Sequence, residues 1–523
     1  MNFLLRRKVY LALIFAVPLL FAGAPAAAQF ILVPVDHQVY PLLHKAETLQ
    51  LIDGYALRVL PADRGTVRRF LQQIDARKDR LSRADQRLLA QMLAEFTDPA
   101  IGREADPKGE RHAWRYEEDS TQIFLDFRYT QNFTSDRGRV QLADDDVSES
   151  TLGAAIRVRF SQYLFAAMQA QNSLILGQNE LEENFDSLAG RVLVTTGAAG
   201  FVDQATGYLA FARGPLRILA GRSTLSWGAG LFDNLALNLH DRPTEMIRAS
   251  LNYRLFRFTW FHATLAGINP LRFLGGHRLD VVLNKKLQLS LYETIVYGNR
   301  GLDFGYFNPF VPYQTVEHYL GDRDNNVIGG DLTWRPAPGW RLYGELFIDD
   351  FSLDYPLGTY YGNKFAWLLG VQRVQPFGIK NLETTLTYTR VDPYVYTHGD
   401  SINTYSHGPN SIGSRLGPNA DRVRLVMALA PHRDSRWQFR YDFIRKGRGD
   451  IFSPWQKAFG RGKGFLRGTI EYRHELSLSL RQQMIKDVFA GFDLLWQVRR
   501  NAGQTAGLHA TERRGRFFLD INY

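Results

Sequence analysis

Arg436-Trp437-Gln438-Phe439-Arg440-Tyr441-Asp442-Phe443 decides the fold. Aromatic residues take every second place and polar or charged residues take the others, which is the period of an extended strand whose side chains alternate between two faces. Leu342, Gly344, Leu346 and Ile348 oppose Arg341, Tyr343, Glu345 and Asp349 in the same way. A wall with lipid on one side and water on the other requires this split, so the pattern predicts an all-β transmembrane barrel.

The connections on either side of these strands alternate in length. Tight ones are expected near Ser161, at Arg213-Gly214-Pro215, near Leu255, at Lys285-Lys286, at Pro336 to Gly339, at Pro376-Phe377-Gly378, at Pro431 to Asp434 and near Lys486-Asp487. Long polar loops are expected at Ser223 to Met246, Gly298 to Asn325, Phe351 to Asn363, Asp392 to Asp421 and Gly447 to Lys463. Short periplasmic turns alternating with long outer loops give about eighteen antiparallel strands with both ends periplasmic. Ala189 to Ala199 reads as part of an outer loop, with a strand as the alternative. At the end of the chain, Phe517, Leu519, Ile521 and Tyr523 share one face of a closing strand. That ending resembles the signal read by the barrel-assembly machinery.

At the other end, Arg6-Arg7-Lys8, the apolar run Val9 to Phe21 and Ala26-Ala27-Ala28 have the layout of a secretory signal peptide, expected over residues 1–28. From Pro41 to Phe96 the period is helical, with helices over Asp63 to Ala76 and from Ser82, which forms a capping-box variant with Asp85. Residues 29–119 are therefore read as a periplasmic helical segment with a linker over 98–119, and residues 120–523 as the barrel.

Composition narrows the function. The chain has no cysteine, which excludes disulfides, thiolate metal sites, cysteine nucleophiles and an acylated anchor. Its net charge of +10 is spread singly through strands and loops, a pattern that argues against nucleic acid. In an exported protein this charge suits anionic polysaccharide or lipopolysaccharide phosphate, with outer-membrane lipid around the wall. No catalytic or cofactor fingerprint is present. Asp322, Asp324 and Asn326 begin like a calcium loop but lack its glycine and terminal glutamate. His398, Ser401, Ser406 and His407 lie close in sequence without a recognisable oxyanion donor, so an outer-wall hydrolase is an alternative with little behind it.

The outer loops gather aromatic rings with hydrogen-bond donors, which suits the flat C–H faces and hydroxyls of sugars. Trp227, His240, Arg242, Tyr306, Tyr313, His318 and Arg323 are the candidate glycan contacts; the alternative is that these rings pack loops together or mark the membrane interface. No cofactor is expected.

The chain resembles the capsule-assembly Wzi family of outer-membrane proteins. The resemblance rests on Gly221-Arg222 followed by Ser226-Trp227-Gly228-Ala229-Gly230, on Gly276-His277-Arg278-Leu279 leading to Glu293-Thr294-Ile295-Val296-Tyr297-Gly298, on Asn308-Pro309-Phe310, and on Leu416-Gly417-Pro418-Asn419-Ala420-Asp421. It implies an eighteen-stranded barrel with a periplasmic helical bundle, acting as a lectin-like anchor for capsular or other extracellular polysaccharide. A diffusion channel for anionic solutes is the second expectation.

Overall fold

The structure is a computed structural model that describes residues 30–52, 56–96, 112–140, 143–179, 192–266 and 271–522. The expected leader over 1–28 lies outside the described residues.

The wall consists of β1 (Thr121–Arg137), β2 (Asp145–Arg159), β3 (Leu164–Leu176), β4 (Ala199–Arg213), β5 (Leu216–Trp227) and β6 (Leu237–Asn252). It continues through β7 (Phe256–Leu265), β8 (Arg272–Asn284), β9 (Leu287–Gly298), β10 (Asn325–Trp334), β11 (Trp340–Asp350) and β12 (Lys364–Val374). It is completed by β13 (Leu382–Val391), β14 (Ala420–His432), β15 (Ser435–Lys446), β16 (Glu471–Ile485), β17 (Val488–Arg500) and β18 (His509–Asn522). Each pairs antiparallel with the next, and β18 also pairs with β1, so that Phe517 lies opposite Phe492 on one side and Phe133 on the other. A closed 18-strand ladder leaves no strand edge unpaired, which is what lets a sheet stand in lipid.

The rhythm of turns follows the sequence. Arg213 to Leu216, Asn284 to Leu287 and Ile485 to Val488 are tight connections at one rim, and the long loops leave the wall at the other. The stretch Ala189 to Ala199, expected as loop, contains a short strand, Val192–Thr196, folded back on Ala199 to Asp203. The expected linker also carries a strand, Trp114–Glu118, paired with the start of β1. In β15 the alternation is seen directly: Trp437 is exposed on the outer wall, whereas Asp442 is buried inside against Arg424 at 2.6 Å.

Three helices, α1 (Val39–Thr48), α2 (Arg64–Asp75) and α3 (Arg83–Phe96), close part of the short-turn rim. Asp63 caps α2 by accepting from the Thr66 amide at 2.8 Å, and Ser82 accepts from the Asp85 amide at 3.0 Å at the start of α3. Leu42, Leu43, Phe70, Leu71, Leu89 and Met92 fuse the three into one apolar core. The unit is also tied to the wall. Thr48 donates to Gln372 at 2.7 Å, the Gly339 amide donates to the Thr48 carbonyl at 2.9 Å, and the buried Glu47 carboxylate faces Arg58 and Arg335.

The lumen has two unlike halves. In one, residues 228–236 and 392–419 turn inward and pack on the wall with Trp227, Phe261, Tyr292 and Phe347. Tyr396 and Tyr405 donate to the carbonyls of Leu235 and Ala236, each at 2.8 Å, and Glu345 accepts the amides of Gly230 and Leu235, again at 2.8 Å. The other half holds a cavity of about 1020 Å³ lined by polar residues including Arg128, Glu149, Gln169, Arg440, Asp493 and Arg514. The ion pairs Arg128–Asp520 (2.9 Å) and Arg514–Asp136 (2.5 Å) hold this wet wall in register.

Candidate functional site

The expected glycan contacts do not form one site. Trp227 is fully buried inside the barrel, its ring edge-on to Phe261 at 5.0 Å, and Gly276 is required beside them because a β-carbon there would meet both rings. Arg242 is buried as well, and the side chain of His240 lies outside the described residues. Tyr306 and Tyr313 contact each other at 5.8 Å but are sealed from solvent. Of the candidates whose side chains are described, only His318 and Arg323 are exposed. Trp227, Arg242, Tyr306 and Tyr313 are thus each buried where the structure places them, and for the three aromatic rings size and apolar area favour packing.

The burial of the two tyrosines has a specific cause. Residues 299–324, with the short helices α4 (Phe304–Phe307) and α5 (Tyr313–Tyr319), do not stand above the barrel but fold down over its outer wall across β7 to β9. There the wall offers Glu293, whose carboxylate accepts the amides of Tyr313 at 2.8 Å and Gln314 at 2.7 Å and faces His277 at 3.0 Å. Phe307 meets Trp260 at 5.0 Å, and Tyr313 lies 4.5 Å from His277.

The exposed aromatic surface lies elsewhere, on residues 351–363 and 447–467. These loops are joined by backbone: Tyr360 bridges to Gly462, the Tyr361 amide donates to the Arg461 carbonyl at 3.1 Å, and the Lys463 amide donates to the Thr359 carbonyl at 2.6 Å. The Lys463 ammonium is buried against Asp392 at 2.6 Å and also reaches the Asn363 carbonyl, which pins the junction to the rim. On this frame the rings form a ladder. Tyr355 stacks on Tyr360 (4.0 Å, 20°), Tyr360 adjoins Tyr361 (4.7 Å), and Tyr361 stacks on Trp455 (3.7 Å, 5°). The Trp455 indole N–H donates to the Gly460 carbonyl at 2.8 Å; Gly460 has a φ of +70°, which suits glycine at this turn.

Cations lie on the second of these two loops. Arg461 lies 6.0 Å from the Tyr355 ring and Arg467 5.2 Å from Phe459, and both arginines are exposed. Residues 447–467 contain Arg448, Lys457, Arg461, Lys463 and Arg467 against the single acid Asp450. Flat half-exposed rings flanked by guanidinium donors can stack on sugar faces and pair with acidic substituents. None of these rings was among the sequence candidates, because Tyr361 and Trp455 are separated by nearly a hundred residues. The signal that could have found them is a Tyr360-Tyr361 pair and a Trp455 in two loops that are glycine-rich and almost free of acids.

The residues of the other expected chemistries are engaged by other partners. Among the described residues His407 bonds to the Ala266 amide at 3.2 Å and Ser406 to Arg272 at 3.3 Å, and neither His398 nor His407 bonds to a serine. Asp324 is engaged by Arg300 at 2.7 Å and the Tyr306 hydroxyl at 2.8 Å, and no group of three metal-ligating side chains occurs among the described residues.

Comparison with known proteins places the chain. The sequence pattern of the family described as capsule assembly protein Wzi matches residues 126–512, from within β1 to within β18. The chain belongs to this family. The fold agrees with Wzi of Escherichia coli, an outer-membrane protein involved in group 1 capsule assembly and described as a carbohydrate-binding β-barrel: 15% identity, 94% of this chain and 99% of that chain covered, TM-score 0.62. Weaker likenesses include OccAB1 of Acinetobacter baumannii (10% identity, 77% and 96% covered, TM-score 0.48) and OprD of Pseudomonas aeruginosa (14%, 77% and 95%, 0.44). No curated protein sequence matches the chain. As a Wzi-family member with a closed eighteen-strand wall, it is an outer-membrane β-barrel.

Proposed function

We propose that this Wzi-family barrel binds capsular or other extracellular polysaccharide at the cell surface without transforming it, and that the ladder Tyr355–Tyr360–Tyr361–Trp455 is its sugar-stacking surface. The observation that carries this reading is the parallel stack of Tyr361 on Trp455, in a ladder whose Tyr355 has the exposed Arg461 6.0 Å from its ring. The carbohydrate binding described for the Escherichia coli relative supports it. The basic surroundings select polymers with carboxylate or phosphate groups, whose attraction weakens as salt screens it over about 8–10 Å. His318 and Arg323, exposed on residues 299–324, are available as secondary contacts. In this reading the helical segment faces the periplasm, lipid and lipopolysaccharide surround the wall, and β18 is presented to the barrel-assembly machinery during biogenesis.

Refolded protein carrying Trp455→Ala or Tyr361→Ala, incubated with soluble capsular polysaccharide free of lipopolysaccharide, tests the proposal. Loss of retention with unchanged barrel folding is the expected result. Retention equal to the parent protein would overturn it.

A further inference from the structure

Wall positions that face lipid should be apolar, and along β7, β8 and β9 several are not. Glu293 shares its face with Leu291, which is 57% exposed; His277 shares one with Leu279, and His262 with Phe256. Residues 299–324 lie over this polar strip. Phe310 stacks on Phe258 at 5.9 Å and 11°, and Phe258 is only the third residue of β7 from the short-turn rim. A barrel strand crosses the hydrocarbon in about 9–11 residues, so the segment descends well into the membrane zone along the outside of the wall.

We infer that residues 299–324 form a membrane-seated strap whose outer face contacts the acyl chains of the surrounding lipid. Two independent features fit that environment. First, backbone exposed to hydrocarbon must satisfy its own polar groups. The Asp303 amide donates to the Tyr297 hydroxyl, the Gly305 amide to the Asp303 carboxylate and the Phe310 amide to the Asn308 side chain; the Tyr313 and Gln314 amides go to Glu293, and Pro309 and Pro312 bring no donor. Second, large apolar side chains of the segment point away from the wall, Phe304 80% exposed and Phe310 78%, on the same side of the wall as the exposed Leu279 and Leu291, whereas the exposed charged groups Asp322 and Arg323 are confined to the end that returns to β10.

The chain contains no cysteine, so Phe304→Cys and Phe310→Cys each introduce a single thiol, with Lys457→Cys as the water-facing reference. Proteoliposomes of the full chain are treated with a membrane-impermeant maleimide. In parallel, bimane-labelled protein is placed in lipid with brominated acyl chains. The strap predicts labelling at Phe304→Cys and Phe310→Cys at least tenfold slower than at Lys457→Cys, with bimane quenching at the first two only. Labelling at the reference rate, or a lack of quenching, overturns it. Protection without quenching together with disulfide-linked dimers of Phe310→Cys also overturns it, by assigning the face to a second copy of the chain.

Discussion

Two aromatic loop regions of this barrel look alike in sequence and behave in opposite ways. Residues 299–324 hold Tyr306, Phe307, Phe310, Tyr313 and Tyr319, and they lie against the outer wall; residues 351–363 and 447–467 hold Tyr355, Tyr360, Tyr361, Trp455 and Phe459, and they stand at the rim holding each other. The first region carries Asp303, Glu317, Asp322 and Asp324 against Arg300 and Arg323, whereas the second is basic. What separates them is therefore the partner each was given. A buried wall carboxylate, Glu293, captures the first, while a backbone bridge between two loops leaves the rings of the second half-exposed. Aromatic content shows that a loop will bury area somewhere; its charged company shows what against.

The sharpest way to break this contrast is to remove the capture. Glu293→Ala orphans the Tyr313 and Gln314 amides beneath a packed surface, a loss of about 2–6 kcal/mol if each unsatisfied donor costs about 1–3 kcal/mol. The strap should then leave the wall, and a thiol at position 310 in this background should react with aqueous maleimide while the barrel keeps its heat-resistant electrophoretic mobility. Continued protection would mean that ring packing alone seats the segment. Next in size is the ladder. Trp455→Ala is expected to weaken polysaccharide binding by about 2 kcal/mol, roughly thirtyfold, as for a central aromatic anchor, and titration calorimetry on refolded protein measures it directly. The same substitution should leave strap protection untouched, since the two regions share no described bond.

How much of this was legible beforehand follows from the range of each interaction. The alternation in 436–443 and the spacing of turns are local, so the wall, its strand number and its closing strand could be read. Asp63 and Ser82 likewise announced two helix starts within a few residues. Trp227 misled because it adjoins glycines in a long connection; only the inward fold of 228–236 shows that its ring fills a gap beside Phe261. Tyr306 and Tyr313 misled because Glu293, which draws their loop down, lies in another element. That displacement did leave a trace. His262, His277 and Glu293 break the apolar parity of three neighbouring strands, and such a row signals a covered wall.

The helical unit extends the comparison to a third kind of seating, by buried charge, and pH probes it. Burial alone would raise the Glu47 carboxyl, but Arg58, Arg341 and Arg335 around it hold it down at about 2, below the usual 4.5. Burial, with Arg341 nearby, pushes the His44 imidazole from 6.5 down to about 3. Both folded values are depressed, so both contributions are complete at high pH. The His44 contribution is lost as pH falls from about 6.5 through about 3, and the Glu47 contribution from about 4.5 through about 2. Limited proteolysis between pH 7 and pH 4 should show the helices of 39–96 becoming cleavable before the barrel does. His44→Asn should shift the onset to lower pH, and an unchanged onset would assign it to other groups.

The smallest expected effect concerns the two sequence candidates that are exposed. His318 and Arg323 sit on the solvent edge of the strap, apart from the ladder, and among the described contacts neither side chain is fixed against a ring. An unanchored surface charge contributes little, about 0–1 kcal/mol, and salt screens what there is. His318→Ala and Arg323→Ala should therefore each change polysaccharide affinity less than about threefold, and the Arg323 effect should vanish at high salt. A tenfold loss that survives high salt would place the strap edge inside the binding surface. The two aromatic regions would then be parts of one long groove along the rim, and the polymer would be held by both.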